Sequence, residues 1–429
     1  MMEAWRAWWF EAETEGRGRL FRFVFFAVLA LDCWMMLPHL ARYGAGHFNV
    51  SHLAFLDAWL PAPPAALMVG VMLACGWLAL RVAFGVAVRA SLSALAVLYA
   101  LFYFSSQLDS YQHHYLVALL LMVLAASTWL EGSQELPDWS LKLTRALLAI
   151  MYFWAGITKL DPLWIDGRTL QLELTSELGK SWILGLSETL GAELLSVYAM
   201  ASVAALVLEL VLPVMLLIRR WRWLTCVVGV LFHASIEVLD FKIGLFSYFM
   251  VGIYLSLMLP DGLLPRVPRW SWGEESPSPT PHRLGVVVAA GALAMVPVEG
   301  VAVAALLVLV VGFAGPSPGR RLGMLQGIMG LGGLLLFSST ELVRDYWKYK
   351  GGDARRRADL AIGVDAYERV TALDPEYLSG WVRLGDLYLR LDRIEDAETA
   401  YRRAEALDPT HTTVQTRLRE LRAHEAAAD

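Results

Sequence analysis

Apolar runs close to the thickness of a lipid bilayer constrain this chain more than any other feature. A membrane-spanning helix needs about 20 mostly apolar residues. Runs of that kind fall near residues 20–40, 65–84, 86–106, 115–130, 142–158, 195–218, 222–239 and 244–260, the fourth and fifth being the shortest. Inside hydrocarbon a backbone N–H or C=O has no water to bond, so each run is expected to be a helix. Composition agrees, at 57% hydrophobic and 18% charged residues, against about 25% charged in a typical soluble domain. A net charge of −5 gives no reason to expect nucleic acid as a partner. Cys33, Cys75 and Cys226 all sit inside apolar runs and form no C-x-x-C pair, so neither a disulfide framework nor a metal site is expected. The first run follows Arg17, Arg19 and Arg22 and is long enough to stay in the bilayer rather than be cleaved as a signal.

Orientation follows from Lys and Arg in the short loops. Arg6, Arg17, Arg19 and Arg22 precede the first run. Alternate loops then carry Arg81 and Arg89, Lys142 and Arg145, Arg219, Arg220 and Arg222, and finally Arg266, Arg269 and Arg283. The intervening loops are poorer in positive charge and hold Asp57, Asp109, Asp161 and Asp166. The alternation places the N-terminus in the cytoplasm of a multi-pass protein of the cell (inner) membrane. Loops 41–64, 107–114, 159–194 and 240–243 then face outward. Residues 1–19 form a cytoplasmic segment, 20–270 a transmembrane domain and 271–283 a Pro/Ser linker. Residues 284–343 hold further spans: 284–315 is one long span or a hairpin turning at 297–300, and 322–340 is one more.

The tail, 344–429, is charged and helical in pattern. Pro375 and Pro409 lie 34 residues apart, as do Trp347 and Trp381. Within 378–411, Trp381, Leu384, Gly385, Tyr388, Ala397, Tyr401, Ala404 and Pro409 follow the tetratricopeptide spacing. Residues 344–377 keep fewer markers. One good repeat cannot bury its own face, so the tail is expected to lean on its neighbours or form a homodimer. The fold class is therefore all-α: a polytopic transmembrane bundle, about eight core spans plus two or three more, ending in a short helical-repeat domain.

Ionisable groups inside a membrane are costly and mark function. Those within or beside the runs are Asp32, His113 and His114 in SYQHHYL, Lys159 in YFWAGITKLDPLWIDG, Glu209 in AALVLELVLP, and His233 and Glu237 in VLFHASIEVL. Lys159 ends an apolar run, where a lysine can snorkel to the headgroups. In an apolar pocket, however, an amine loses its charge more readily and becomes a usable base. Such a base needs aromatic walls, for which Tyr152, Phe153, Trp154 and Trp164 are near in sequence, and a substrate that arrives through the lipid.

These motifs resemble those of the horizontally transferred transmembrane (HTTM) domain family, which includes vitamin K-dependent gamma-glutamyl carboxylase. YFWAGITKLDPLWIDG resembles the family's aromatic–A–G–x–x–K–L stretch followed by W-x-x-G. HHYL at 113–116 and FHASIEVLDFKIGLFSY at 232–248 match two further stretches in the family's order. The resemblance covers about residues 15–300. It implies that Lys159 deprotonates a reduced quinone, similar to vitamin K hydroquinone. Oxygen then adds, the quinone leaves as an epoxide, and a peptide glutamate is carboxylated. It further implies that His113 and His233 act beside Lys159. His114, Tyr152, Trp154, Trp164, Gly167, Glu209 and Tyr248 complete the candidate binding site, with no metal. Two departures stand against full equivalence. The carboxylase's large luminal region is replaced by further spans and the repeat tail, and Thr158 stands where the carboxylase has a second lysine. The alternative is a non-catalytic membrane scaffold that recruits a protein or peptide through its tail. A transporter is disfavoured by the lack of an inverted repeat.

Overall fold

The structure is a computed structural model that describes residues 8–43, 53, 55, 63–106, 112–241, 243–265, 267, 279–296, 298, 300–313, 320–337 and 340–428. Arg6, Asp57, Asp109, Arg266, Arg269, Pro297 and the linker residues 271–278 lie outside the described residues. Every regular element among the described residues is helical. The helices of the apolar part are α1 (Arg17–Met35), α2 (Ala65–Ala83), α3 (Val88–Ser105), α4 (Gln112–Leu130) and α5 (Asp138–Thr158). They continue as α6 (Pro162–Ile165), α7 (Arg168–Glu173), α8 (Glu177–Leu190), α9 (Leu194–Leu217), α10 (Arg222–Val238) and α11 (Phe246–Leu257). The last residues of the expected 271–283 linker are already helical, in α12 (Pro279–Ala294), which is followed by α13 (Val301–Phe313) and α14 (Arg320–Phe337).

All eight expected runs are helical. Five helices, α2 to α5 and α9, are by themselves long and apolar enough to cross a membrane. The others miss that standard for visible reasons: α1 carries Arg17, Arg19, Arg22 and Asp32, while α10 and α11 have 17 and 12 residues. The fourth and fifth spans prove longer than the apolar runs alone suggest, at 19 and 21 residues, because each helix begins on polar residues ahead of its run. The region 284–315 is two helices, 16 and 13 residues long. Gly300 sits between them in the left-handed region, at φ 85°. A Cβ there would fall 2.8 Å from the Gly70 amide nitrogen, so only glycine fits both the turn and the close approach.

The described chain divides into two compact units. The first comprises residues within 1–32, 78–96 and 116–271; the second, residues within 33–77, 97–115 and 272–429.

The first unit pairs α5 with α9 and α10 with α11. Lys142, Arg145, Ala149, Tyr152 and Gly156 form one buried stripe along α5 at alternating three- and four-residue spacing, and Lys159 continues it. Gly156 meets α9 where a Cβ would strike Leu210. At the stripe's beginning, four chain segments meet in an ionic cluster. Glu13 pairs with Arg145, with Arg222 at 2.6 Å and with Arg17 at 3.5 Å. Arg17 also reaches the Leu259 carbonyl (2.9 Å) and Asp261, while Lys142 donates to the Glu11 carbonyl. Arg22 pairs with Glu135 at 2.8 Å. The N-terminal segment and the loops before α5, before α10 and after α11 thus share one end, as their positive charge predicts.

In the second unit, His282 on α12 bonds the Gly312 carbonyl of α13 at 2.8 Å and Gln326 of α14 at 3.3 Å. The tail forms α15 (Thr340–Arg356), α16 (Leu360–Leu373), α17 (Leu378–Arg390), α18 (Ile394–Leu407) and α19 (Thr412–Ala428). Gly351 lies against the Tyr367 ring, where a Cβ would sit at 2.8 Å, and Gly385 lies against Tyr401 at the same 2.8 Å. Each contact recurs one 34-residue period later, which makes 340–373 a second helix pair of the same kind. Small residues let the paired helices approach, and the aromatic ring fills the gap between them.

Candidate active site

Lys159 follows the last turn of α5 and points back over it. Its Nζ lies 2.8 Å from Glu209 Oε2 on α9 and 3.3 Å from the Ala155 carbonyl. The same Nζ stands 5.1 Å from the centre of the Trp164 ring, within the range of a cation–π contact. Both partners of the ion pair are mostly covered, with side chains 22% and 11% exposed. The lysine is therefore held by a carboxylate and a ring, and it does not stretch freely toward headgroups.

The local chain explains the placement. Glu209 precedes Pro213 by four residues in α9. Proline has no N–H, so the Glu209 carbonyl loses its ladder partner and the helix can bend there. Gly156 lets α5 come close at this point, its missing Cβ facing the Glu209 backbone at 3.4 Å. Beyond Lys159 the chain turns sharply. Asp161 caps α6 by accepting from the Leu163 amide at 2.9 Å. Trp164 Nε1 donates to the Ser202 carbonyl of α9 at 3.0 Å, which fixes the ring under the amine.

Gly167 ends this turn at φ 86°. A Cβ there would lie 2.7 Å from the Tyr198 carbonyl carbon and closer still to the Ala199 amide. Gly167→Ala is expected to cost about 1–3 kcal/mol in backbone strain alone, with the steric clash in addition, and to lift Trp164 off α9. The check is a fall in thermal midpoint of the detergent-solubilised protein, together with loss of quenching between Trp164 and a probe placed on Ser202.

A second polar group lies two helical turns along the α5 stripe, about 10 Å by helix rise. Tyr152 Oη and His233 Nε2 are 2.6 Å apart, both residues being buried. Tyr254 on α11 approaches both rings, with centroids 6.5 and 6.1 Å away, and Phe246 stands edge-on to His233 at 5.5 Å. Tyr254 is held close because Gly229 of α10 faces its ring, where a Cβ would sit at 2.5 Å. His233 Nδ1 and Ser202 Oγ are buried with no hydrogen-bond partner among the described residues, and so is one carboxylate oxygen of Glu237, one turn beyond His233. Buried proton-carrying groups, three of them with spare hydrogen-bonding capacity, are suited to moving protons and to receiving a polar head on an otherwise apolar ligand.

Of the sequence-derived candidates, Lys159, Glu209, Trp164 and Gly167 meet at one end of this stripe, and Tyr152 and His233 meet further along it. Trp154 and Tyr248 are not brought to either group: they are 60% and 53% exposed. Trp154 follows Tyr152 by two residues, which turns it about 200° around the helix. His113 and His114 open α4 in the second unit. Both are buried, their ring centres 4.2 Å apart, and His114 stands edge-on to Phe102 at 6.4 Å. Tyr254 and Ser202 are additions that sequence reasoning missed. A lone tyrosine or serine in an apolar run carries no signal of its own, and the glycine facing Tyr254 lies in a different helix.

Several spanning helices with a buried ion pair and a linked Tyr–His pair define a multi-pass membrane protein with a candidate acid–base site. The HTTM domain family model matches residues 18–261, more than half of the 429-residue chain, and the chain belongs to that family. A tetratricopeptide repeat model matches residues 379–411, the α17–α18 pair and the turn after it. No solved structure matches the chain.

Proposed function

We propose that the membrane domain takes a proton from the hydroxyl of a lipid-borne reduced quinone, in the manner of vitamin K-dependent carboxylase. Lys159 is the base, and Glu209 takes and returns the lysine's proton. The observation that supports this is the 2.8 Å Lys159–Glu209 contact against the Trp164 ring. In a nearly dry site an ion pair loses most of its hydration, so the charged pair and the neutral amine–acid pair come closer in energy than in water. The amine can then be freed without releasing a proton to solvent.

The residues present suit such a ligand. Trp164 offers a flat face, Lys159 and Glu209 accept a hydroxyl proton, and the Tyr152–His233 pair can bond a second oxygen. When bound, a reduced quinone supplies the reducing equivalents that oxygen consumes, and in carboxylase-like chemistry that oxidation drives carboxylation of a glutamyl side chain. Thr158 takes no part: its hydroxyl is already bonded to the Ala155 carbonyl at 2.9 Å. The protein in nanodiscs is expected to consume a naphthohydroquinone and oxygen together. No consumption above protein-free nanodiscs would end this proposal, and carbon dioxide incorporation into a glutamyl peptide tests the second half separately.

The tail supports an added role in recruiting a protein. Arg355, Arg356, Arg390 and Arg417, with Asp386 and Leu389, line a groove of about 470 Å³ on α15, α17 and α19. Arg417 is engaged by Asp386 and Glu420, and Arg356 by Asp353. Neither Arg355 nor Arg390 pairs with a carboxylate among the described residues. The surplus of guanidinium groups fits an acidic protein segment. Arg390→Glu in the full-length protein is expected to weaken binding of a labelled glutamate-rich peptide about tenfold by fluorescence anisotropy. Unchanged affinity would place the docking surface elsewhere. The alternation of loop charge favours a cytoplasmic ionic end, with Lys159 near the opposite face.

A further inference from the structure

The loop carrying Trp164 continues into α8, a 14-residue helix capped at both ends. Ser176 accepts from the Gly179 amide at the start, and Gly191 closes the other end in the left-handed region. At 1.5 Å per residue α8 is about 21 Å long, too short for a hydrocarbon core of about 30 Å. Its side chains fall on three faces. Gly179, Ile183 and Ser187 are buried. Gly179 packs against the Leu239 carbonyl, and Ile183 joins Leu170, Leu174, Val197 and Tyr198 in a small core that also holds Trp164. Glu177, Lys180, Ser181 and Glu188 cluster about a second arc, with a Glu177–Lys180 bridge at 2.9 Å; Leu184, 49% exposed, is the one apolar side chain among them. The third arc is apolar and open: Leu178, Trp182, Leu186 and Leu190 are each about half exposed.

We propose that α8 is an in-plane membrane helix, seated with its Leu178–Trp182–Leu186 face in the headgroup–acyl boundary of the bilayer. A short helix with one apolar face, a tryptophan and an opposite charged arc is built for that depth. The open arc continues across the Gly191 turn into Leu194, Met200, Val203, Val207 and Val211 of α9, the outward side of a helix long enough to span. The same lipid therefore covers both. A shallow groove of about 480 Å³ crosses α8 at Gly185, flanked by Trp182, Leu186, Ser181 and Thr189. Nothing lies within 4 Å of a Cβ added at Gly185, which leaves room for an acyl chain. The arc's charges, Glu177, Lys180 and Glu188, sum to −1, which gives no pull toward anionic headgroups, so apolar burial holds the helix and salt does not release it. Because α8 and Trp164 share one small core, the seat of α8 sets the height of Lys159 at the interface. The inference goes beyond quinol chemistry and stands without it.

The test uses full-length protein in phosphatidylcholine vesicles, spin-labelled at Trp182→Cys, Leu186→Cys or Glu188→Cys, with the unsubstituted protein as control for the buried Cys33, Cys75 and Cys226. Oxygen collisions are expected to exceed nickel-chelate collisions at 182 and 186, with the order reversed at 188. The contrast should persist at high salt. Chelate-dominated collisions at all three positions would mean a solvent-facing helix. Low collision rates with both agents at 182 and 186 would mean a protein partner or a second copy on that face. Either result overturns the proposal, whatever the quinol assay shows.

Discussion

Lys159→Ala is expected to lower quinol-dependent oxygen consumption by about 10²- to 10⁴-fold, the usual contribution of a positioned general base. Alanine alone does not separate a catalytic amine from a structural one, because it also strands Glu209 in a mostly covered site without its cation. Lys159→Arg makes the distinction. Arginine keeps the positive charge, the Glu209 pairing and the contact with Trp164, but it does not give up its proton in a protein. If the lysine is only a tether, the arginine variant works and folds normally. If it is the base, the arginine variant folds normally and is as inactive as the alanine variant. Full activity in the arginine variant would remove Lys159 from the chemistry, however important its packing.

How much of this was legible depends on whether the information was local. A run of twenty apolar residues is local, and so is the spacing of Trp381, Gly385 and Tyr388; both led to the observed helices. The identity of Lys159 and Glu209 as unusual charges was also local. Their pairing was not, because it joins residues fifty positions apart through the Gly156 approach and the unpaired carbonyl ahead of Pro213. Nearness in sequence misled for Trp154, and the motif resemblance for Tyr248. Each lies two residues from a ring that faces the Tyr152–His233 group, and two residues along a helix lead almost to the far side. The helical period already held that correction. The Tyr254 contact did not follow from period at all, since it depends on Gly229 of a neighbouring helix. Loop charge predicted that the N-terminal segment and four later loops share one end, and three of those loops meet the segment in the ionic cluster. It did not predict that they interlock around a single carboxylate.

That carboxylate gives the largest stability prediction. Glu13 has a side chain only 3% exposed and faces Arg17, Arg145 and Arg222. Glu13→Gln keeps the shape and removes the charge, leaving three crowded guanidinium groups with too little negative charge among them. Breaking a buried ion pair from one side costs about 3–5 kcal/mol, so a fall of many degrees in thermal midpoint is expected at neutral pH. The readout is a thiol-reactive dye, since Cys33, Cys75 and Cys226 are buried and react only when the fold opens. Acid supplies an independent check. Burial alone would raise the Glu13 carboxyl, but the charges of Arg145 and Arg222 and their hydrogen bonds outweigh it and hold the group below its ordinary value of 4.5. A carboxyl depressed on folding adds stability that is present above that ordinary value and is lost as pH falls through the folded one. The wild-type midpoint should therefore be steady from neutral pH to about 5 and drop below that. The Glu13→Gln variant should lack that part of the drop, so the two curves approach each other in acid. Curves that stay parallel throughout would show that some other carboxylate carries the acid sensitivity. The ionic end of the bundle would then be held by Asp261 and Glu135 on their own arginines.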